Sequence, residues 1–202
     1  MYVVIGRTLD GGAFPSVLDG VDASAGKLHV GLAGFLAKLE QSLGIPTSPI
    51  HEPVRVAEYS KRLVAHDDGK QFYSASRRAD TWRVPRKLLG LRDELFSGGW
   101  NGKLPAGGST RLKALTELEE LSQAYPLAPG AAERLLKIIE RLKLFPAGIE
   151  SLEIVDPPSS FSKLWRDVFQ CLANTGTEVR QRTLSSAKAS GDLGIAHKAL
   201  LG

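Results

Sequence analysis

Apolar positions recur at helical spacing through the middle of the chain and at strand spacing near its two ends. Over residues 81–97, Val84, Leu88, Leu91 and Leu95 fall at i, i+4, i+7 and i+11, flanked by Trp82, Leu89 and Phe96. That spacing predicts an amphipathic helix with Arg83, Arg86, Lys87 and Glu94 on its polar face. Asp80 or Thr81 is placed to cap its start, and Gly98-Gly99 to supply a left-handed stop. Pro85 is tolerated only near the first turn, so Pro85 itself is an alternative start. Further stripes predict helices over about 53–66 (Val54, Ala57, Leu63, Val64), 110–125 (Leu112, Leu115, Leu118, Leu121) and 129–145 (Leu135, Leu136, Ile138, Ile139, Leu142). Residues 51–147 therefore read as an all-helical block of about four helices, whose leucine stripes are core.

The period differs on either side of that block. Residues 2–6, YVVIG, read as a short buried strand, and Leu28-His29-Val30 as a second. A short helix carrying Phe35, Leu36, Leu39 and Leu43 follows, closed by Gly44 and Pro46. After the block, Ile149–Val155 reads as a strand ending at Asp156-Pro157-Pro158. A helix with Phe161, Leu164, Trp165, Val168 and Leu172 comes next, then a strand from Thr177. Strand, helix, strand with short connections is a βαβ unit, for which parallel strands and a right-handed crossover are the rule. The expected fold class is thus α/β. A parallel sheet is built from 1–50 and 148–182, with the helical block inserted between them. Residues 183–202 are small and polar, and read as a connecting tail in a fragment of a longer protein.

Composition narrows the function classes. With 202 residues the chain is long enough for a sizeable core. No run of eighteen apolar residues occurs, so no membrane partner is expected. Cys171 is the only cysteine, which excludes an intrachain disulfide and a cysteine-built zinc site and fits a reducing cytoplasm. The four histidines show no ligand spacing, and no nucleophile-elbow or metalloprotease signature appears, so no catalytic residue and no cofactor are expected. A net charge of +4 permits a phosphate-rich partner without requiring one.

Two stretches are candidates for chemistry. Gly6 and Gly11 have the G-x-x-x-x-G spacing of a phosphate-binding loop after a first strand. A working loop continues with Lys, for phosphate charge, and Ser/Thr, for magnesium; here Gly12 and Ala13 stand in those places. The loop is either a glycine-rich turn or a decayed nucleotide site. Asp156, at the end of an apolar strand, is either the acidic residue of such a site or a strand-end aspartate capping a turn. The second stretch is basic. Arg77, Arg78, Arg83, Arg86 and Lys87 surround the start of the central helix. They form either a solvated face paired with nearby carboxylates or a surface for nucleic-acid phosphates.

The central stretch also carries a resemblance. Trp82, Leu88, Leu89, Arg92, Asp93, Glu94 and Leu95, followed by Gly99, Trp100 and Gly102, resemble a segment of bacterial PD-(D/E)XK nuclease-family proteins of the AddB/RecB type. The glycine- and leucine-rich run over 31–44 is similar to a segment that those proteins place before a helical insertion. The resemblance implies a RecA-like, inactivated helicase domain near the N-terminus of a DNA recombination and repair exonuclease, whose nuclease motif lies in a later domain. It implies DNA as a weak, non-specific partner and a helicase–nuclease subunit as another. Under it, Gly6, Gly11, Gly12, Ala13 and Asp156 become a degenerate nucleotide site. A helical protein-interaction module without DNA binding is the alternative, and an active phosphate-loop enzyme is disfavoured by the missing Lys and Ser/Thr.

Overall fold

The structure, a computed structural model, describes residues 1–10, 26–46 and 51–182. Among the described residues four strands form one sheet in the order β2-β1-β3-β4, every pairing parallel. They are β1 (Tyr2–Ile5), β2 (Lys27–Val30), β3 (Ser151–Ile154) and β4 (Glu178–Gln181). β1 is central because Val3, Val4 and Ile5 are apolar on both faces and all at most 1% exposed. Tyr2 to Ile5 lie in register with Ser151 to Ile154, so the two ends of the chain share one sheet, as the period changes predict. The strand order reverses between β1 and β3, the switch point at which doubly wound sheets open a crevice.

Seven α-helices occur among the described residues. Six lie between β2 and β3: α1 (Leu32–Ser42), α2 (Glu52–His66), α3 (Ser74–Ala79), α4 (Arg83–Ser97), α5 (Thr110–Glu120) and α6 (Ala131–Leu142). The seventh, α7 (Lys163–Asn174), joins β3 to β4 after a 3₁₀ turn at Pro158–Ser160. The expected block of four helices gains the six-residue α3, which has no apolar stripe to announce it. α5 stops at Glu120, short of the expected 125.

Two cores form. Val3, Ile5, Leu152 and Ile154 of the sheet pack with Phe35 and Leu39 of α1, Leu135, Ile138 and Leu142 of α6, and Trp165, Val168 and Leu172 of α7. Val56, Tyr59 and Leu63 of α2 pack with Tyr73, with Leu88 and Leu89 of α4, and with Leu115 and Leu118 of α5. α6 thus buries its stripe in the core that covers the sheet, next to α7 and α1, rather than in the core of α2 and α5.

The central helix differs from its expected face. It starts at Arg83, with Asp80 Oδ1 accepting from the Trp82 and Arg83 amides at 3.1 and 2.7 Å. Its buried line is Pro85, Leu88, Leu89 and Arg92, whereas Leu91 is 42% exposed and Trp82 49%. The helix is turned by about one position, because Arg92 goes inside and Leu91 does not. The stop is as expected: Gly99 has φ 95°, and the Trp100 amide reaches back to the Leu95 carbonyl at 2.9 Å.

Candidate functional site

The carboxyl ends of β1 and β3 bring two of the expected site residues together. A Cβ on Gly6 would lie 3.4 Å from Asp156 Oδ2, and that oxygen accepts the Arg7 amide at 2.7 Å. Gln181 donates to the Asp156 carbonyl at 3.1 Å, tying β4 to the same corner. Asp156 is therefore spent on the turn after β1, the capping role that a strand-end aspartate offers. Gly11, Gly12 and Ala13 lie outside the described residues.

A residue that sequence reasoning missed closes the neighbouring position. Asp10 places its carboxylate on the N-terminus of α1, Oδ2 accepting from Ala33 N at 2.6 Å and Oδ1 from Gly34 N at 3.0 Å. Helix N-termini attract anions through their free amides and the macrodipole. Here the anion is the chain's own side chain, 23 residues upstream. The approach depends on Gly31, where an added Cβ would sit 2.4 Å from Asp10 N.

The expected basic face is split by pairing. Arg77 turns inward to Asp67, at 3.0 Å from Nε and 2.6 Å from Nη2. Arg86 meets Glu52 at 2.6 Å on the surface, where solvent screens the contact. Two other nearby carboxylates are used elsewhere: Asp80 on backbone amides, and Glu119 on Arg62 and Arg92. Arg78, Arg83 and Lys87 are exposed and make no side-chain hydrogen bond or ion pair among the described residues; the Asp80 carboxyl, held below its ordinary pKa by the Arg83 and Trp82 amides, also feels the Arg83 charge. Trp82 stands between Arg78 and Arg83 in sequence, half exposed.

Comparison with protein-family models, with curated proteins and with solved structures finds no match to this chain.

The motif residues Arg92 and Asp93 have a structural assignment. Arg92, 5% exposed, donates to both oxygens of Glu119 at 2.8 and 3.0 Å and to Asp93 at 3.0 Å, and lies 2.7 Å from Glu133. Asp93 also takes a two-pronged contact from Arg55 at 2.5 and 2.9 Å, and Glu119 one from Arg62 at 3.2 Å. Three arginines thus face three carboxylates across α2, α4, α5 and α6. Burial works against the charge on Arg92, but the bonds from Glu119 and the nearby charge of Glu133 outweigh it, so its pKa is raised. Arg62, where burial dominates, is shifted downward despite Glu119. The only sequence hint was an Arg-Asp pair inside a leucine-rich helix. Among the described residues no group of three or more His, Cys, Asp or Glu is placed to hold a metal, and no helix is long and apolar enough to cross a membrane.

Asp67 gives a pH prediction. Its carboxylate, 5% exposed, accepts from the Ser74 hydroxyl, from Arg77 and from Gly69 N at 2.9 Å. The Ser74 bond first, then Arg77, hold its pKa down to about 2 from the ordinary 3.8. A depressed carboxylate contributes stability above its unfolded pKa and loses it as pH falls through the folded one. Asp67→Asn will therefore lower the urea midpoint at neutral pH, and its deficit will shrink as pH falls from 3.8 towards 2. A deficit independent of pH over that window would rule this out.

Proposed function

We propose that this chain is a non-catalytic, helicase-like scaffold that contacts DNA within a recombination and repair nuclease–helicase of the AddB/RecB type. The observation that carries the non-catalytic half is the closed end of the sheet. Asp10 fills the N-terminus of α1 and Asp156 holds the Arg7 amide. With Gly12 and Ala13 in the lysine and hydroxyl positions, the loop lacks both the lysine and the magnesium-binding hydroxyl that a nucleotide's outer phosphates need. The RecA-like assignment rests on the resemblance. A parallel sheet whose first strand ends in a glycine-rich loop, and helices entering between β2 and β3, support it.

The DNA half rests on Arg78, Arg83 and Lys87, exposed around the junction of α3 and α4. Without Asn or Gln partners such cations read phosphates rather than bases. Binding should be sequence-independent, with a Kd of roughly 10⁻⁴–10⁻⁶ M. Neutralising three phosphates gives a log–log salt slope of about −0.9 × 3, or roughly −2.7, on duplex. Fluorescence anisotropy with a labelled duplex tests this. Replacing Arg78, Arg83 and Lys87 by Gln should flatten the slope by about one unit per contact. The already paired Arg86, replaced alone, should change it less.

An unchanged slope would favour a protein-interaction module. The supporting observation for that reading is the apolar exposure near the same junction: Phe72 at 41%, Trp82 at 49% and Leu91 at 42%.

A further inference from the structure

We propose that the Trp82 indole is a stacking platform for an unpaired base, so that the basic junction of α3 and α4 selects single-stranded DNA over duplex. The proposal rests on the reading of Arg78, Arg83 and Lys87 as phosphate contacts. It adds the side chain that distinguishes one form of the polymer from the other.

Trp82 immediately precedes α4 and is 49% exposed. It belongs to neither core. The other two tryptophans are committed. Trp165 stacks on Phe35 with centroids 6.1 Å apart. Trp100 meets Phe96 edge-on at 5.1 Å and donates its indole N–H to the Lys103 carbonyl at 2.7 Å. Phe72, half-exposed before α3, also has partners: Tyr73 meets it edge-on at 5.2 Å, and the Arg111 guanidinium lies 5.7 Å from its centroid. The Trp82 ring makes no stacking, cation–π or hydrogen-bond contact among the described residues. An indole is a large π surface that ordinarily finds such a partner.

Local structure holds this ring among the free cations. Asp80 Oδ1 accepts the Trp82 and Arg83 amides at 3.1 and 2.7 Å, which fixes the turn between α3 and α4. Arg78 lies in the last turn of α3, on one side of that turn. Arg83 opens α4 on the other, with Lys87 one helical turn further along the same face. The backbone on which Trp82 sits is thus set before any ligand arrives, and an indole has only two torsions to order.

Cations that follow a phosphate backbone, together with an aromatic face, are the combination that holds single strands. In a duplex each base face is covered by its neighbours, and only phosphates remain within reach of Arg78, Arg83 and Lys87. An unpaired base can turn its own face onto the indole. The cations read phosphates in both forms, so the preference comes from Trp82. The sign of the charge around the ring favours a nucleic acid over an apolar protein surface. The neighbouring carboxylates are spent, Asp80 on amides and Glu52 on Arg86, whereas the three cations are not.

Titration of the full chain with oligo(dT), with an abasic deoxyribose-phosphate strand of the same length and with a duplex of that length tests the proposal. Anisotropy reads affinity and tryptophan emission reads stacking, all at one low salt concentration. Oligo(dT) should bind about tenfold more tightly than the abasic strand, the range for one stacked base. It should also quench the emission, whereas the abasic strand and the duplex should not. Trp82→Ala should bring oligo(dT) down to the affinity of the abasic strand and leave the salt slope unchanged. Trp82→Phe should keep part of the preference and lose the quench, because Trp100 and Trp165 are occupied. Arg83→Gln should weaken all three ligands and flatten the slope. Melting temperatures of the variants report the fold. Equal affinity for oligo(dT) and the abasic strand, with the salt slope intact, would overturn the stacking platform and leave the phosphate contacts standing. A preference for oligo(dT) that survives Trp82→Ala would overturn it too. Salt-independent or absent binding of all three ligands would overturn both readings and favour a protein partner at this junction.

Discussion

Glu119→Leu is expected to destabilise the protein by about 3–5 kcal/mol, the range for removing one partner from a buried ion cluster. Glu119 is the acceptor shared by Arg62 and Arg92, which are 2% and 5% exposed. Without it, Asp93 and Glu133 are left to compensate Arg92, and Arg62 keeps only the Tyr125 carbonyl, at 2.7 Å. Urea unfolding should show a lower midpoint with little change in slope. The cost belongs to the stranded charges rather than to lost attraction. Replacing Arg62, Arg92, Glu119 and Glu133 together by Met, Met, Leu and Gln removes two charges of each sign and should therefore be far milder than the single change. A single-variant loss below about 1 kcal/mol would show that the cluster is solvated like a surface pair.

The second large effect is steric. Gly31→Ala should cost about 2–4 kcal/mol, combining overpacking with loss of a helix cap. The new Cβ would lie 2.2 Å from Asp10 Cγ and 2.4 Å from Asp10 N, and the second of these is backbone. Relief requires moving the loop after β1 away from α1, which breaks the bonds to Ala33 N and Gly34 N. Gly31 has φ −84°, so the constraint is space and not backbone conformation. Gly90→Ala provides the contrast. It meets nothing within 4 Å in a helix interior and should stabilise by up to about 1 kcal/mol. Equal responses at the two glycines would contradict the close approach of Asp10.

What the sequence made legible follows from how local each signal is. β1 announces itself through its run of Val and Ile and β3 through the alternation of Leu152 and Ile154 with polar residues, and their shared sheet follows from the change of period on both sides of the helices. The core of α4 was only partly readable. Counting apolar residues puts Leu91 inside and Arg92 outside, because a periodicity template treats every arginine as surface. The arginine is buried because Glu119, 27 residues away, and Glu133, from another helix, meet it there. Asp10 escaped notice for the same reason, since the helix it caps begins more than twenty residues downstream. α3 escaped because SASRRA has no apolar period; it is held by Asp67 bonding Ser74 and Arg77. Arg77 and Arg86 shared the composition of a basic face with Arg78, Arg83 and Lys87, and only the positions of Asp67 and Glu52 separate them.

Calorimetric titration of the chain with Mg-ATP tests the non-catalytic scaffold most directly. With Asp10 and Asp156 committed to backbone amides, and Gly12 and Ala13 where a cation and a magnesium ligand would stand, no heat of micromolar binding and no phosphate release are expected. Micromolar affinity for Mg-ATP accompanied by phosphate release would contradict the reading.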